Sequence, residues 1–593
     1  MITDQQIKQA QRELIGDHVA VGVATCGLSA GAGAVVSALE SAKLSIPVTK
    51  VGCVGMCYNE PIVMVVQDGK TSYYGNVTKD NVVLLISAIK ANKRCNELFL
   101  CEKLEELDFY KKQVRLTLEN CGAIDPLKLE HYVARGGYSG LKKAIAMTNM
   151  EVIATVDKAG IRGRGGAGFS TAKKWSFIAN KQGKKYIICN GDEGDPGAFM
   201  NRTLMESDPF RILEGLAIGA YATGADEGVI YTRAEYPLAL ETLGKAMKTA
   251  YENNLLGKNI LGKQGFNFDL IIRVGAGAFV CGEETALIES AEGRRGTPRP
   301  RPPFPADKGL YGKPTIVNNV GTWGDVSTVL KIGPDEYGKY GTKATKGTKT
   351  LCLSGDIKRP GIIEVPFGIT LKEIIYDVGG GLPDGTKFKA LFPGGPAGGC
   401  VVEKELDTPL DYETMTNLKT IMGSGSFIVT NDKACMVSLA KFFISFTQSE
   451  SCGKCTPCRE GTKRLLEMLT HVSRGNGTIQ DIDKIQELAE FINRDSLCGL
   501  GQFAPNPVLS TIRNFRSEYE THITHRKCPA HVCENLLTFT ITDKCTGCGN
   551  CKRNCPVAAI SGELKGLHVI DQSKCIRCGK CYDVCAFKAI DRS

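Results

Sequence analysis

Near the carboxyl end the sequence twice repeats one cysteine pattern, CTGCGNCKRNCP and CIRCGKCYDVCA, each C-x2-C-x2-C-x3-C. Three thiolates on one tight loop can grip three irons of a cubane cluster, and the fourth cysteine of each run reaches the other cluster. This spacing assigns Cys545, Cys548, Cys551 and Cys585 to one [4Fe–4S] cluster, and Cys575, Cys578, Cys581 and Cys555 to a second. A zinc ribbon uses paired C-x2-C steps, and eight cysteines in a duplicated pattern argue against one. Upstream, SCGKCTPCREG sets Cys452, Cys455 and Cys458 on one loop. Cys498, in SLCGLGQF beyond an amphipathic helical stretch, is the candidate fourth ligand of a third [4Fe–4S] cluster.

The 25 cysteines of the 593 residues are concentrated in such groups. In a reducing compartment clustered cysteines are metal ligands rather than disulfides. No apolar run approaches the ~18 residues that span a bilayer. The start, MITDQQIKQAQRELIGDH, is polar and helical in pattern, without a secretory h-region. A soluble, cytoplasmic protein of three to five domains is expected. The net charge of +9 is spread along the chain. No basic stripe with interleaved aromatics appears, so nucleic acid is not an expected partner.

The stretch GIRGRGGAGFST contains a literal G-x-G-x-x-G. A Rossmann fingerprint follows a strand and opens a helix. Here the preceding MEVIATVDKAGIR has the pattern of a helix running into a loop, and the strand-like KKYIICN comes later. The glycines therefore suit a backbone cradle, whose N–H groups and Arg164 approach a phosphate.

GRGGAGF, CNGDEGDPG, CGEETALIES, RPPFPA, VNNVGTW, SCGKCTPCREG and LCGLG occur in that order. Over roughly residues 125–525 the chain resembles the flavin-bearing, NADH-oxidising subunit of respiratory complex I and its soluble relatives. The resemblance implies that Gly163, Arg164, Gly165, Gly166 and Lys174 line FMN, and that Asn190, Asp192 and Glu193 meet its ring or ribityl chain. It puts Gly282, Glu283 and Glu284 beside flavin and nicotinamide, the two glutamates as the catalytic pair. Val317, Asn318 and Asn319 would hold the phosphate and ribityl side. Phe169, Phe177 and Phe304 would stack on the adenine of the dinucleotide, core packing being the competing role for each. Asp195 stands where the family has Glu, Phe279 where it has Tyr and Arg301 where it has Lys. These departures leave NADH against NADPH open.

The expected fold class is multidomain, α/β and α+β. Residues 1–125 resemble a thioredoxin-like [2Fe–2S] domain, with Cys26, Cys53 and Cys57 but Ser29 or Ala30 near the fourth position. Residues 126–345 would form a Rossmann-like domain for FMN and NAD(P)H, and 346–432 a ubiquitin-like SLBB domain that packs and orients. Residues 433–525 would be a helical bundle with a [4Fe–4S] cluster, and 526–593 a two-cluster, ferredoxin-like domain. Between the last two, Cys528, Cys533 and His522 or His531, with Cys435, make a candidate tetrahedral zinc set. Reduced cysteines beside surface histidines are the alternative. The two appendages resemble those of the flavin subunit of multimeric [FeFe]-hydrogenases, including electron-bifurcating ones. That implies a hetero-oligomer with a hydrogenase catalytic subunit and a small thioredoxin-like [2Fe–2S] subunit, exchanging electrons with ferredoxin. A formate dehydrogenase diaphorase and a non-catalytic relay are the alternatives.

Overall fold

The computed structural model describes residues 2–592. The chain forms two units: one runs to residue 384 and takes in 391–429, the other comprises 385–390 and the chain from 430 onward.

The first unit opens with a five-stranded sheet of β1 (His18–Gly22), β2 (Val48–Val51), β3 (Val63–Gln67), β4 (Lys70–Tyr74) and β5 (Phe99–Cys101), in the order β2-β1-β3-β4-β5. Val19 and Val21, two apart on β1, pack with Val35, Leu39 and Leu85, as the period-two alternation of a strand requires.

The centre of this unit is a parallel sheet of β6 (Tyr186–Gly191), β7 (Glu227–Arg233), β8 (Asp269–Gly275) and β9 (Thr315–Asn319). The near-continuous apolar run of β6, YIICNG, suits a strand covered on both faces. The order is β8-β7-β6-β9. The chain steps outward from β6 to β8 and then returns to the opposite side of β6. Strand order thus reverses between β6 and β9, and open parallel sheets bind ligands at the carboxyl ends beside such a reversal.

Helix Pro209–Thr223, with Pro at its start and left-handed Gly224 at its end, is buried nearly all round. It packs on helix Val320–Ile332, which leads directly out of β9. The approach is close: a Cβ on Gly215 would lie 2.0 Å from the Trp323 carbonyl oxygen. The Trp175 and Trp323 rings stack at 5.7 Å, joining helix Thr171–Ala179 to the same core. A further sheet, built on β10 (Thr348–Gly355), pairs antiparallel with β11 (Gly361–Pro366) and parallel with strand Ser426–Asn431.

In the second unit, helices Met436–Ser449, Thr456–Ser473, Ile479–Asp495 and Asn506–Thr524 bury one core. Ile482, Ile485, Ala489 and Ile492 form the inward stripe of the third. Two short hairpin pairings follow, Phe539–Ile541 with Ile590–Arg592 and Ile560–Ser561 with Val569–Ile570. Among the described residues no helix is long and apolar enough to cross a membrane.

Gly215→Ala is expected to destabilise the first unit by about 1–3 kcal/mol, because backbone must move to admit the methyl group. Gly244→Ala is the control: that helix position has nothing within 4 Å of the new Cβ. It should stabilise by about 0.5–1 kcal/mol. Thermal unfolding of both variants checks the contrast.

Candidate functional site

Two asparagines mark the strand reversal. Asn190 at the end of β6 sits in register with Asn319 at the end of β9, and Cys189 with Asn318. Asn190 Nδ2 donates to the Gly282 carbonyl at 2.9 Å, and Asn319 Oδ1 caps helix Val320–Ile332 by accepting from Gly321 N at 2.9 Å. Gly282 closes the turn Phe279–Gly282 after β8, so three loops converge on one edge of the sheet.

The glycine loop is the fourth. It follows helix Asn149–Lys158 and closes on itself through Gly163 N to Phe169 O at 2.8 Å, before helix Thr171–Ala179. A Cβ on Gly165 would lie 3.4 Å from Asn319 Cβ, and Gly166 takes φ +122° against Gly423. The loop is held from outside. Tyr412 OH donates to Gly163 O at 2.8 Å, Lys349 Nζ to Arg164 O at 2.8 Å, and Arg164 N to Thr322 Oγ1 at 3.0 Å.

The Arg164 side chain, expected near a phosphate, is turned inward. It is 3% exposed and paired with Asp325 at 2.7 Å, and it donates to Tyr337 OH at 2.7 Å. Burial makes this ion pair the better use of the guanidinium, which anchors the loop from beneath. Glu283 Oε2 accepts from Thr285 N and Ala286 N, both at 2.9 Å, as the cap of helix Glu284–Ala291. Glu284 bridges two cations, Lys174 at 2.8 Å and Arg301 at 3.2 Å, while Lys174 Nζ also reaches Val317 O at 2.7 Å.

The acidic loop after β6 is strongly desolvated. Asp192 Oδ1 lies 3.3 Å from Arg233, and Glu193 accepts from Asn201 N and Arg202 N at 3.0 and 3.1 Å. Burial pushes both carboxyls up to about 7. Asp195 is half-buried, accepts from Ser424 Oγ at 2.6 Å and is raised to about 6, again by burial. The Phe279 ring lies 2.8 Å from where a Cβ on Gly194 would stand. Asn318 Nδ2 and Asp192 Oδ2 are buried and have no hydrogen-bond partner among the described residues. Two orphaned polar atoms beside a glycine cradle fit the polar atoms of a flavin.

Phe169, Phe177 and Phe304 are 48%, 46% and 52% exposed, which removes core packing as their role. Phe169 and Phe177 face each other at 6.3 Å, and Lys174 shares the helix of Phe177. Phe304 begins helix Pro305–Lys308, tied to the helix of Phe177 by the following Lys181, whose Nζ donates to Ala306 O at 2.9 Å. Sequence alone does not single out Tyr412, Lys349, Asp325, Arg233 or Ser424; all act across long separations that carry no local pattern.

In the second unit the spacing-derived cysteine sets assemble. One cavity is lined by Cys545, Cys548, Cys551 and Cys585, another by Cys555, Cys575, Cys578 and Cys581. The fourth cysteine of each run thus crosses to the other group. Cys458 is raised to about 11, first by burial and then by Cys455, Cys498 and Cys452 around it. A Cβ on Gly501 would meet Cys458 Cβ at 3.0 Å, so glycine permits that approach.

Cys435, His522, Cys528 and Cys533 are buried, with ligand atoms all within 4.8 Å of one another. His522 Nε2 lies 3.3 Å from Cys435 Sγ and 3.4 Å from Cys533 Sγ, while Nδ1 donates to Glu518 O at 2.7 Å. That backbone bond turns Nε2 towards the sulfurs. Against the effect of burial, hydrogen bonds with Cys435 and Cys528 raise His522 to about 10. His531 is exposed, so of the two candidates His522 is the one in the set. The residues present fit a tetrahedral zinc ion.

Cys26, Cys53 and Cys57 also meet, Cys26 and Cys57 at 3.8 Å. Ser29 and Ala30 are exposed and supply no fourth ligand. Three thiols do not fit the four-cysteine [2Fe–2S] set.

Residues 156–328 match the Nuo51 FMN-binding domain and 350–401 the SLBB domain. Residues 438–522 match the NADH-ubiquinone oxidoreductase-F iron–sulfur binding region, and 538–586 a 4Fe-4S dicluster domain. The NADP-reducing hydrogenase subunit HndC of Solidesulfovibrio fructosivorans is 53% identical over 460 residues, 77% of this chain and 94% of that protein. An NADH-quinone oxidoreductase subunit of Rhizobium meliloti is 42% identical over 416 residues, 70% of this chain and 99% of that one. Among solved structures, an NAD+-reducing [NiFe]-hydrogenase in the H2-reduced state aligns with TM-score 0.62 and 27% identity, covering 88% of this chain and 89% of that chain.

Two outcomes follow from the geometry. Asp192 and Glu193 bind protons more tightly folded than unfolded, so stability falls as pH rises from about 4 through about 7. Asp192→Asn should flatten that fall by up to about 1.4 kcal/mol per pH unit, visible in melting temperature across the same window. Cys533→Ser should remove one zinc ion per chain and lower the melting temperature of the bundle; unchanged zinc on metal analysis contradicts the four-ligand set.

Proposed function

The chain belongs to the family of FMN- and iron–sulfur-binding oxidoreductase subunits found in NADH-quinone oxidoreductase and in NAD(P)-linked hydrogenases, and from that membership we propose that it is the diaphorase subunit of a cytoplasmic, electron-bifurcating hydrogenase. In this reading it moves electrons between NAD(P)H, ferredoxin and a partner subunit that reacts with H2. The observation that carries the flavin assignment is the pair of orphaned buried atoms, Asn318 Nδ2 and Asp192 Oδ2, at the strand reversal.

FMN, when bound, supplies the exchange between the electron pair of a hydride and single electrons. The chain's own residues bind and orient. Gly165 and Gly166 offer backbone N–H groups to the flavin, the Gly163 N–H being used to close the loop on Phe169, and Asn318 donates into the crevice. Asn190 and Asn319 keep the two strand ends in register. Glu284 positions Lys174 and Arg301 at the rim, where they neutralise the anionic dinucleotide. Phe169, Phe177 and Phe304 offer the exposed aromatic surface on which an adenine stacks.

Cys452, Cys455, Cys458 and Cys498 would hold one [4Fe–4S] cluster and the two carboxyl-terminal sets one each, and such clusters would supply single-electron transfer. A zinc ion on Cys435, His522, Cys528 and Cys533 would pin the bundle to the segment that leads into the two-cluster region. The relationship to HndC supports a hydrogenase partner over a formate dehydrogenase. A separate site for ferredoxin and a gated carboxyl-terminal arm belong to the bifurcating form of the proposal.

The test is anaerobic addition of NADH and of NADPH to the purified chain, following flavin and cluster absorbance together. Bleaching of both chromophores by at least one nucleotide is expected. Bound flavin that neither nucleotide bleaches would overturn the reading of this chain as the hydride-exchanging subunit.

A further inference from the structure

The segment between helices Met436–Ser449 and Thr456–Ser473 carries Ser451, Cys452 and Cys455, and Cys458 lies in the first turn of the second helix. Ser451 Oγ is 3.2 Å from Cys458 Sγ. The same oxygen accepts from Gly453 N at 3.2 Å, a turn that the left-handed Gly453 (φ +76°) permits. Arg459 Nη1 donates to Gly453 O at 2.8 Å and fixes that turn from its other side. The serine oxygen thus accepts from the main chain, and its own O–H is left for the sulfur.

A thiolate that binds iron has no proton to give, so between these two atoms the hydroxyl is the donor. A hydrogen bond to a charged acceptor is stronger than one to a neutral acceptor. One-electron reduction adds a negative charge to an iron–sulfur cluster and its sulfurs. A donor aimed at a ligand sulfur therefore favours the reduced form, and such bonds are among the factors that set cluster potentials. Cys458 is 5% exposed, which leaves water little access to replace the serine.

The printed donors at the other cysteines are of a different kind. Ala559 N donates to Cys555 Sγ at 3.2 Å and Ala589 N to Cys585 Sγ at 3.3 Å, the same place in each half of the repeat. Arg577 N donates to Cys575 Sγ at 3.3 Å, and Leu497 N to Cys455 Sγ at 3.5 Å. Those are main-chain groups, present whatever the side chain. At Cys458 the donor is a side chain, which a substitution removes.

We propose that Ser451 raises the reduction potential of the [4Fe–4S] cluster on Cys452, Cys455, Cys458 and Cys498 by donating a hydrogen bond to Cys458 Sγ. The inference rests on the reading of those four cysteines as a cluster site. Ser451 is a positioning residue, acting through Cys458. The step it biases is the gain of one electron by the cluster, supplied in the test by dithionite. No bond is made or broken, and the serine proton stays on its oxygen.

The test is a redox titration of the full chain purified without oxygen, following the reduced clusters by electron paramagnetic resonance and counting iron per chain. Wild type stands beside Ser451→Ala and Ser451→Thr. In Ser451→Ala one midpoint potential is expected to fall by about tenfold in the reduction equilibrium, ~59 mV for one electron. The other midpoints and the iron content stay as in the wild type. Ser451→Thr keeps the hydroxyl and should titrate as the wild type does. Unchanged midpoints in Ser451→Ala, or an equal fall in both variants, would overturn the proposal. Loss of one cubane's iron in Ser451→Ala would make Ser451 a structural residue and overturn it as well. Wild-type iron no greater than two cubanes hold would instead overturn the cluster reading itself.

Discussion

Between β6 and β9 the parallel sheet changes the direction in which strands are added, and the flavin site depends on that reversal. Loops leaving two neighbouring strands in opposite directions cannot cover the carboxyl edge between them, so a crevice opens there. Asn190 and Asn319 stand paired across it. The glycine loop, the acidic loop and the turn at Gly282 then close in from three sides. At Gly194 the approach is close: a Cβ there would stand 2.8 Å from the Phe279 ring.

The crevice opposes folding. Burial pushes the Asp192 and Glu193 carboxyls up to about 7, and the buried Asn318 Nδ2 has no hydrogen-bond partner among the described residues. Such groups cost free energy in the empty protein. The surrounding ion pairs hold them in place: Arg164 with Asp325 beneath the glycine loop, Arg233 against Asp192. Tyr412 and Lys349, on either side of the SLBB match, fasten the glycine loop.

What is legible in the sequence is local or repeated. Cysteines three and four apart on a loop must face one centre, and the duplicated run sends Cys555 and Cys585 each to the other group. Helix capping is local too: Glu283 caps the helix through the N–H groups of Thr285 and Ala286, two and three residues on. The direction of the Arg164 side chain is not local. An arginine inside a glycine loop looks like a phosphate ligand, and only the distant Asp325 and Tyr337 turn it inward. Tyr412 acts on Gly163 across 249 residues, a separation over which no spacing rule operates. At the amino-terminal thiols, the sequence directs attention to Ser29, which is exposed.

The metal centres divide by chemistry. Open cysteine sets around a cavity suit iron–sulfur clusters, while the compact set of Cys435, His522, Cys528 and Cys533 has the spacing of a single closed-shell ion. The central claim, that the strand reversal is the flavin site, is tested most directly by titrating FMN into flavin-stripped protein and following flavin fluorescence, wild type beside Asn318→Ala. The account predicts quenching that saturates at one flavin per chain, and an affinity at least about tenfold weaker in the variant, the cost of one buried hydrogen bond. Saturation at the same affinity in both proteins would contradict it.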